Sequence, residues 1–311
     1  MASMSEKKCC KKLKTRHVII SIILIIVGYI AWVLFFAKTP PHIARVTISG
    51  TIEDNPELLR VLKKVAEDNN VKALVVSISS PGGTAYGGES IFRSIQEIKK
   101  KKPVVSDIRT LATSAAYMIA CSGNSIVSAE TSIVGSIGVI IEYPQIKPFL
   151  DKLGISFETI KSSPIKGEPS PFYNTSQQSK DMLGSLVKDT YQWFVSLVSE
   201  QRHLPRDKVL DLANGAVFTG RQAKALGLVD RLGGEEQVLE ALHSLGVEKN
   251  LKIVEWSPST SYSDLIYKKF MSSVMSSLIV LSHDIILSTL KTYQYSPLSL
   301  NGVLSIWPNN K

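Results

Sequence analysis

The longest uninterrupted apolar run lies near the start of the chain. Val18 to Ala37 is a stretch of twenty residues without a charge. In a helix such a stretch spans roughly 30 Å, the thickness of the hydrocarbon core of a bilayer. The residues that follow, 38–41, offer no pair of small residues at which a signal peptide would be cleaved. We therefore expect an uncleaved transmembrane anchor at residues 18–37, preceded by a short tail at residues 1–17.

Residues 40–250 alternate between short β-branched runs and segments with apolar residues at helical spacing. Strands are predicted at 44–50, 72–79, 103–107, 125–130 and 137–141. Asn55-Pro56 predicts the start of one helix, and Thr175-x-x-Gln178 predicts a capping box at the start of a long helix over 175–201. Repeated strand–helix order is typical of an α/β fold with parallel strands.

The character of the chain changes after residue 250. Residues 251–311 are rich in serine, tyrosine and aliphatic residues, with few charges. The apolar run that begins at Val274 is interrupted by His283 and Asp284 before it reaches spanning length. We interpret 251–311 as an interaction or membrane-surface segment that follows the domain at 40–250.

Charge and cysteine content agree with an anchored, exported domain. The chain of 311 residues has a net charge of +9, and residues 1–16 contain six of its basic residues against one acidic residue. By the positive-inside rule this tail stays in the cytoplasm and the domain from 40 onward lies across the membrane. The basic excess therefore indicates orientation rather than a nucleic-acid partner. Cys9 and Cys10 precede the anchor, so Cys121 has no partner for an intrachain disulfide in the exported domain.

Three local patterns are candidates for chemistry. Ser79 to Gly83 is a Pro-Gly-Gly turn after a strand, Ser114 starts a short helix of small residues, and Lys166 lies between Ile165 and Gly167. A serine at a first helical turn lies beside free backbone N–H groups, which suits a nucleophile whose oxyanion needs donors. Each pattern also has an ordinary interpretation: a turn, a helix cap and a solvated loop lysine.

A serine nucleophile needs a base, and the histidines offer little. The five histidines are His17, His42, His203, His243 and His283, and none lies in a small-residue or glycine-rich context. A Ser-His-Asp triad therefore has no support, although it stays possible. A desolvated lysine can lose its proton and act as the base, which makes Lys166 a candidate.

Taken together, five segments in this order resemble the short form of the signal peptide peptidase A family, membrane-anchored bacterial serine peptidases with a Ser-Lys dyad. They are SSPGG (79–83), TSAAYMIA (113–120), GSIGVI (135–140), IKSSPIKGEPSP (160–171) and VFTGRQAKALGLVDRLGG (217–234). The resemblance covers about residues 44–245.

The resemblance implies a role for individual residues. Ser114 is the expected nucleophile, Lys166 the general base and Ser136 the serine that orients the lysine amine. Backbone N–H groups of Gly83 and Ala115 are the expected oxyanion donors. The reaction would pass through an acyl-enzyme, without a cofactor or metal.

The resemblance also implies an architecture and a setting. The expected fold is Clp-protease-like or crotonase-like, after one N-terminal transmembrane helix. The expected assembly is a ring-shaped homo-oligomer whose active sites are shared between subunits. Apolar peptides, above all cleaved signal peptides, are the expected substrates at the bacterial inner membrane, with the catalytic domain outside the cytoplasm.

The sequence departs from the family pattern at three positions. Ala115 and Ala116 stand where the family usually has glycines, and Ser163 stands where it commonly has another. These changes leave open a catalytically impaired membrane scaffold or peptide-binding relative of the same fold. A relative of the acyl-coenzyme A hydratases would share the fold, but it needs neither the anchor nor the Ser–Lys spacing.

Overall fold

The computed structural model describes residues 40–258 and the backbone of residues 304–306. The predicted anchor at 18–37, the basic tail and most of the 251–311 segment lie outside these residues. Within the described ranges, no helix is both long enough and apolar enough to cross a membrane.

Ten strands and eight helices make up the described residues. The strands are β1 (His42–Ser49), β2 (Val71–Ser80), β3 (Gly82–Thr84), β4 (Val104–Thr113), β5 (Ser125–Ser128), β6 (Ile133–Gly135), β7 (Val217–Thr219), β8 (Arg231–Leu232), β9 (Lys252–Glu255) and β10 (Leu304–Ile306). The helices are α1 (Pro56–Glu67), α2 (Ala85–Lys99), α3 (Ala115–Ala120), α4 (Lys147–Lys152), α5 (Gln177–Arg202), α6 (Arg206–Leu212), α7 (Gly220–Leu226) and α8 (Glu235–Ser244).

Eight of the strands form one sheet in the order β7-β6-β4-β2-β1-β9, with β5 and β8 continuing from β4 on a branch. All of its pairs are parallel except β6 with β7. The long strand β4 pairs with β5 through residues 105–108 and with β6 through residues 111–113. The predicted parallel α/β sheet is therefore confirmed.

The sheet is buried on both faces, which explains why its strands are continuous apolar runs in the sequence. On β2, Leu74 and Val76 pack in the main core beneath α1, α2, α3 and α5. Ala73 and Val75 point to the opposite face, where they pack against Val238 and Leu242 of α8. Parallel sheets covered on both faces show this pattern.

Two local predictions were wrong. Residues 137–141 were predicted as a strand, but β6 ends at Gly135 because Gly135 and Ser136 have φ of +111° and +50°. The capping box at Thr175 does not form. Ser176 is the N-cap of α5 instead, and its side chain accepts the N–H of Ser179 at 3.2 Å.

From Ile140 onward the chain runs through a largely exposed extension that includes α4. Seven large apolar side chains there are exposed: Ile140, Ile146, Phe149, Leu153, Ile155, Phe157 and Ile160. Exposed apolar patches of this kind mark interaction surfaces. We call residues 140–160 the apolar extension.

Candidate active site

Ser114 lies where β4 meets α3, in a strained backbone conformation. Its φ is +57° and its ψ is −124°, and its side chain makes no capping hydrogen bond although it occupies the N-cap position. Its own N–H donates to the carbonyl of Gly135 at 2.8 Å. The interpretation of Ser114 as an ordinary helix cap is therefore wrong. Strain at a non-glycine residue is concentrated at functional sites in proteins.

The structure brings Ser136 next to Ser114. Thr113 at the end of β4 pairs with Gly135 at the end of β6, and each serine is the residue that follows. Ser136 also has a positive φ, of +50°, and its N–H donates to the carbonyl of Ala216 at 2.7 Å. The two serines therefore lie at the same edge of the sheet, at the carboxyl ends of neighbouring parallel strands.

A third segment, β3, is fixed to the same edge. The Thr113 hydroxyl donates to the carbonyl of Pro81 at 3.0 Å, and the Ser80 hydroxyl accepts the N–H of Gly82 at 3.1 Å. These bonds hold Gly83 near Ser114. Thr113 was not predicted to be a site residue, because a threonine next to Ser114 forms no distinctive sequence pattern.

The backbone N–H and carbonyl of Gly83 point away from the neighbouring segment at Ile52. The N–H of Ile52 donates to Gly82 and its carbonyl accepts from Thr84, both at 2.8 Å. Because successive residues of a strand face opposite sides, the N–H and carbonyl of Gly83 face the other edge of β3, which we call its outer edge. There β10 runs antiparallel, with Ser305 opposite Gly83.

Close packing explains why a glycine is needed at position 83. A Cβ atom built on Gly83 would lie 1.9 Å from the carbonyl oxygen of Ile52. Any side chain there would therefore push β3 away from Ile52.

Ala115 and Ala116 are both fully buried. Ala115 is the first residue of α3, so its backbone is right-handed helical and its N–H has no partner inside the helix. Its methyl group faces Gly88 of α2, because a Cβ built on Gly88 would lie 3.0 Å from it. The methyl group that replaces the usual glycine is thus accommodated by a glycine on the neighbouring helix.

Lys166 does not join the other residues within one chain. It is exposed on the loop that follows the apolar extension. Among the described residues its ammonium makes no hydrogen bond or ion pair. Four of the five expected site residues therefore lie on neighbouring segments at one edge of the sheet, and the expected base makes no hydrogen bond to any of them within the described residues.

Other candidates for nucleophile and base find no support in the described residues. His42 stacks on Trp256, and His203 ends α5 in an exposed left-handed turn. No histidine of the described ranges hydrogen-bonds to Ser114, while His17 and His283 lie outside them. Burial raises the pKa of the Cys121 thiol to about 12, so this cysteine stays protonated. Nor does any group of three or more potential metal ligands occur in these ranges.

The fold and the site together define an α/β protein with a strained serine between the end of a strand and the first N–H of a helix, an arrangement typical of serine hydrolases. Comparison with known families agrees. The profile of Peptidase family S49 matches residues 96–249. A putative protease from Synechocystis is 37% identical over 204 residues, covering 65% of this chain and 73% of that one. The chain belongs to peptidase family S49.

Further relatives carry similar names. A putative protease from Methanocaldococcus jannaschii is 37% identical over 198 residues, and the match spans 64% of each chain. A putative signal peptide peptidase SppA from Enterococcus faecium is 32% identical over 236 residues, covering 70% of this chain and 68% of that one.

Two solved structures are similar in part. A point mutant of 1510-N, a membrane-bound stomatin-specific protease, has a TM-score of 0.48 at 16% identity, covering 71% of this chain and all of that one. A point mutant of ClpP1 from Listeria monocytogenes has a TM-score of 0.44 at 15% identity, covering 64% of this chain and 94% of that one. Similarities of this size do not bear on the function of this chain.

Proposed function

We propose that the protein is a membrane-anchored serine endopeptidase that hydrolyses apolar peptides, above all cleaved signal peptides. The observation that carries the proposal is the strained, uncapped Ser114 between Gly83 and Ser136. Membership of peptidase family S49 supports it. The anchor, the orientation and the inner-membrane location rest on the sequence of residues 1–37.

In the proposed mechanism, the neutral amine of Lys166 removes the proton of Ser114 as Oγ attacks a peptide carbonyl. The oxyanion accepts hydrogen bonds from the N–H groups of Gly83 and Ala115. Collapse breaks the C–N bond, and the lysine returns its proton to the leaving amine. The same lysine then activates a water molecule that hydrolyses the acyl-enzyme. Ser136 would hold the lysine amine in place.

The outer edge of β3 is the proposed binding site for an extended peptide. The pairing of β10 with β3 supports this, because it places a strand of backbone opposite Gly83. Strand addition of this kind recognises backbone and is therefore tolerant of sequence. A substrate strand at this position would present a carbonyl beside the Gly83 N–H.

Because Lys166 is exposed and makes no hydrogen bond to Ser114 among the described residues, the proposal includes a ring-shaped homo-oligomer in which the lysine comes from a neighbouring subunit. The apolar extension supports this, since it precedes the Lys166 loop and exposes seven large apolar side chains. An assembly of Clp-protease type would bury that surface and complete each site.

A second candidate is a catalytically impaired scaffold that binds peptides. The separation of Lys166 from Ser114 within one chain favours it, together with Ala115 and Ala116 at the usual glycine positions. Such a protein would need the outer edge of β3 but not the dyad.

Labelling with a peptidyl phosphonate, followed by mass spectrometry, distinguishes the two candidates. We expect the full-length protein in detergent to be modified at Ser114 and to cleave an apolar fluorogenic peptide. Ser114→Ala and Lys166→Ala should each abolish cleavage, whereas Ser185→Ala, which changes an exposed serine on α5, should not. Peptide binding without labelling would favour the scaffold, and full activity of Lys166→Ala would exclude the dyad.

A further inference from the structure

The loop that carries Lys166 is fastened along both of its sides. Phe157 stacks on Phe172 with ring centroids 4.3 Å apart, and Thr159 shares a hydrogen bond with the hydroxyl of Tyr173. The side that follows the loop is also tied to the start of α4, because the Ile146 N–H donates to Pro171 at 2.9 Å. The chain therefore enters and leaves the loop at fixed positions.

A single ion pair closes the loop itself. Lys161 Nζ lies 2.6 Å from Glu168 Oε1, and the same ammonium lies 5.6 Å from the centre of the Tyr173 ring. Between the paired residues the chain makes two tight turns, from Lys166 N–H to Ser163 and from Glu168 N–H to Ile165. Lys166 thus lies in a loop whose two ends are joined by the Lys161–Glu168 ion pair.

This pair is partly buried. The exposed fractions of the Lys161 and Glu168 side chains are 19% and 8%, whereas most ion pairs in the described residues are at the surface. The second carboxylate oxygen of Glu168 is buried without a hydrogen-bond partner among the described residues.

Partly burying two charges and leaving one oxygen unpaired is a weak source of stability. The cost of desolvation offsets much of the attraction, and apolar residues of similar volume often stabilise as well or better. The ion pair instead fixes the distance between the two ends of the loop.

We propose that Lys161 and Glu168 are positioning residues that set the place of Lys166 for catalysis. The inference rests on the proposed function, in which Lys166 is the general base. Neither side chain touches the reacting atoms. They act through the backbone of residues 162–167, so that the lysine amine meets a Ser114 hydroxyl at hydrogen-bond distance when the site assembles. A displacement of about 1 Å is enough to cost on the order of 100-fold in rate.

The test compares kcat, KM and melting temperature in the full-length protein, with an apolar fluorogenic peptide. Glu168→Gln leaves the Lys161 ammonium unpaired, so both kcat and the melting temperature should fall. The double variant Lys161→Met/Glu168→Gln removes both charges and should recover the melting temperature, while its kcat stays about 10- to 100-fold low at an unchanged KM. Glu168→Asp keeps the charge and should retain kcat within about threefold of wild type.

Glu97→Gln provides the matched control, because it breaks the exposed Lys100–Glu97 pair at the end of α2, which has the same distance of 2.6 Å and lies outside the apolar extension. This variant should keep the wild-type kcat. Wild-type kcat in the double variant would overturn the inference, as would a kcat that follows the melting temperature in every variant. Lys166→Ala separates the two proposals: if it is fully active, the proposed function fails, and if it alone is inactive, only the positioning role fails.

Discussion

Backbone conformation sets two serines apart from the other residues. Three non-glycine residues have a positive φ among the described ones, and two of them are Ser114 and Ser136. The sequence singled out Ser114 through its small neighbours, but the same neighbours fit a capped helix equally well. The structure decided between these interpretations, because the Ser114 side chain makes no cap.

The strain at Ser114 can be measured with two variants that both remove the proposed nucleophile. Ser114→Ala keeps a Cβ at a φ of +57°, whereas Ser114→Gly relieves the strain. We expect the glycine variant to have a free energy of unfolding about 1 kcal/mol higher than that of the alanine variant. Chemical denaturation monitored by circular dichroism gives the difference. Equal stabilities would mean that little strain is stored there.

At the scale of elements, the three-residue strand β3 is fixed by contacts with three other segments of the chain. It is held on one side by Ile52, faces β10 on the other, and is fixed to β4 through Thr113 and Pro81. The sequence predicted only a turn at 79–83, since proline and two glycines give no strand signal. Pairing with Ile52, which is distant in sequence, makes this segment a strand.

Two glycine substitutions with opposite expected effects test the close approach at β3. A Cβ at Gly83 would lie 1.9 Å from a backbone oxygen, so Gly83→Ala should lower the free energy of unfolding by about 1–3 kcal/mol and impair cleavage. Gly184 lies inside α5, and open space surrounds the position that a Cβ would take there, so Gly184→Ala should raise stability by about 0.5–1 kcal/mol. Thermal unfolding and peptide cleavage would be measured on both. A Gly83→Ala protein with unchanged activity would remove Gly83 from the proposed oxyanion site.

At the scale of the whole molecule, the proposed nucleophile and the proposed base make no hydrogen bond to each other within one chain. Four of the five expected site residues lie together at one edge of the sheet, while Lys166 lies on an exposed loop after the apolar extension. The proposed ring would cover the exposed apolar side chains of each subunit and would place Lys166 of one subunit beside Ser114 of the next.

Mixing two inactive proteins tests whether the site is shared. If Ser114 of one subunit works with Lys166 of the next, co-expressed Ser114→Ala and Lys166→Ala chains should restore about a quarter of the wild-type kcat per site, because a quarter of random neighbours pair two intact residues. Each variant expressed alone is the control. No restoration in mixed oligomers, verified by two affinity tags, would place the whole site within one chain.

The sequence by itself determined the α/β class and the approximate positions of β1, β2, β4, β5, α1 and α5, because hydrophobic periodicity and the caps of α1 are local. It also determined which residues to examine, since the five family segments lie in a fixed order. The strand predicted at 137–141 was wrong because the positive φ values of Gly135 and Ser136 depend on pairing with distant Thr113 and Ala216. Only the tertiary structure decided that Ser114 is strained, that the N–H and carbonyl of Gly83 face the outer edge of β3, and that Lys166 makes no hydrogen bond to Ser114 within one chain. Those properties arise from contacts between residues far apart in the chain, which local sequence patterns do not record.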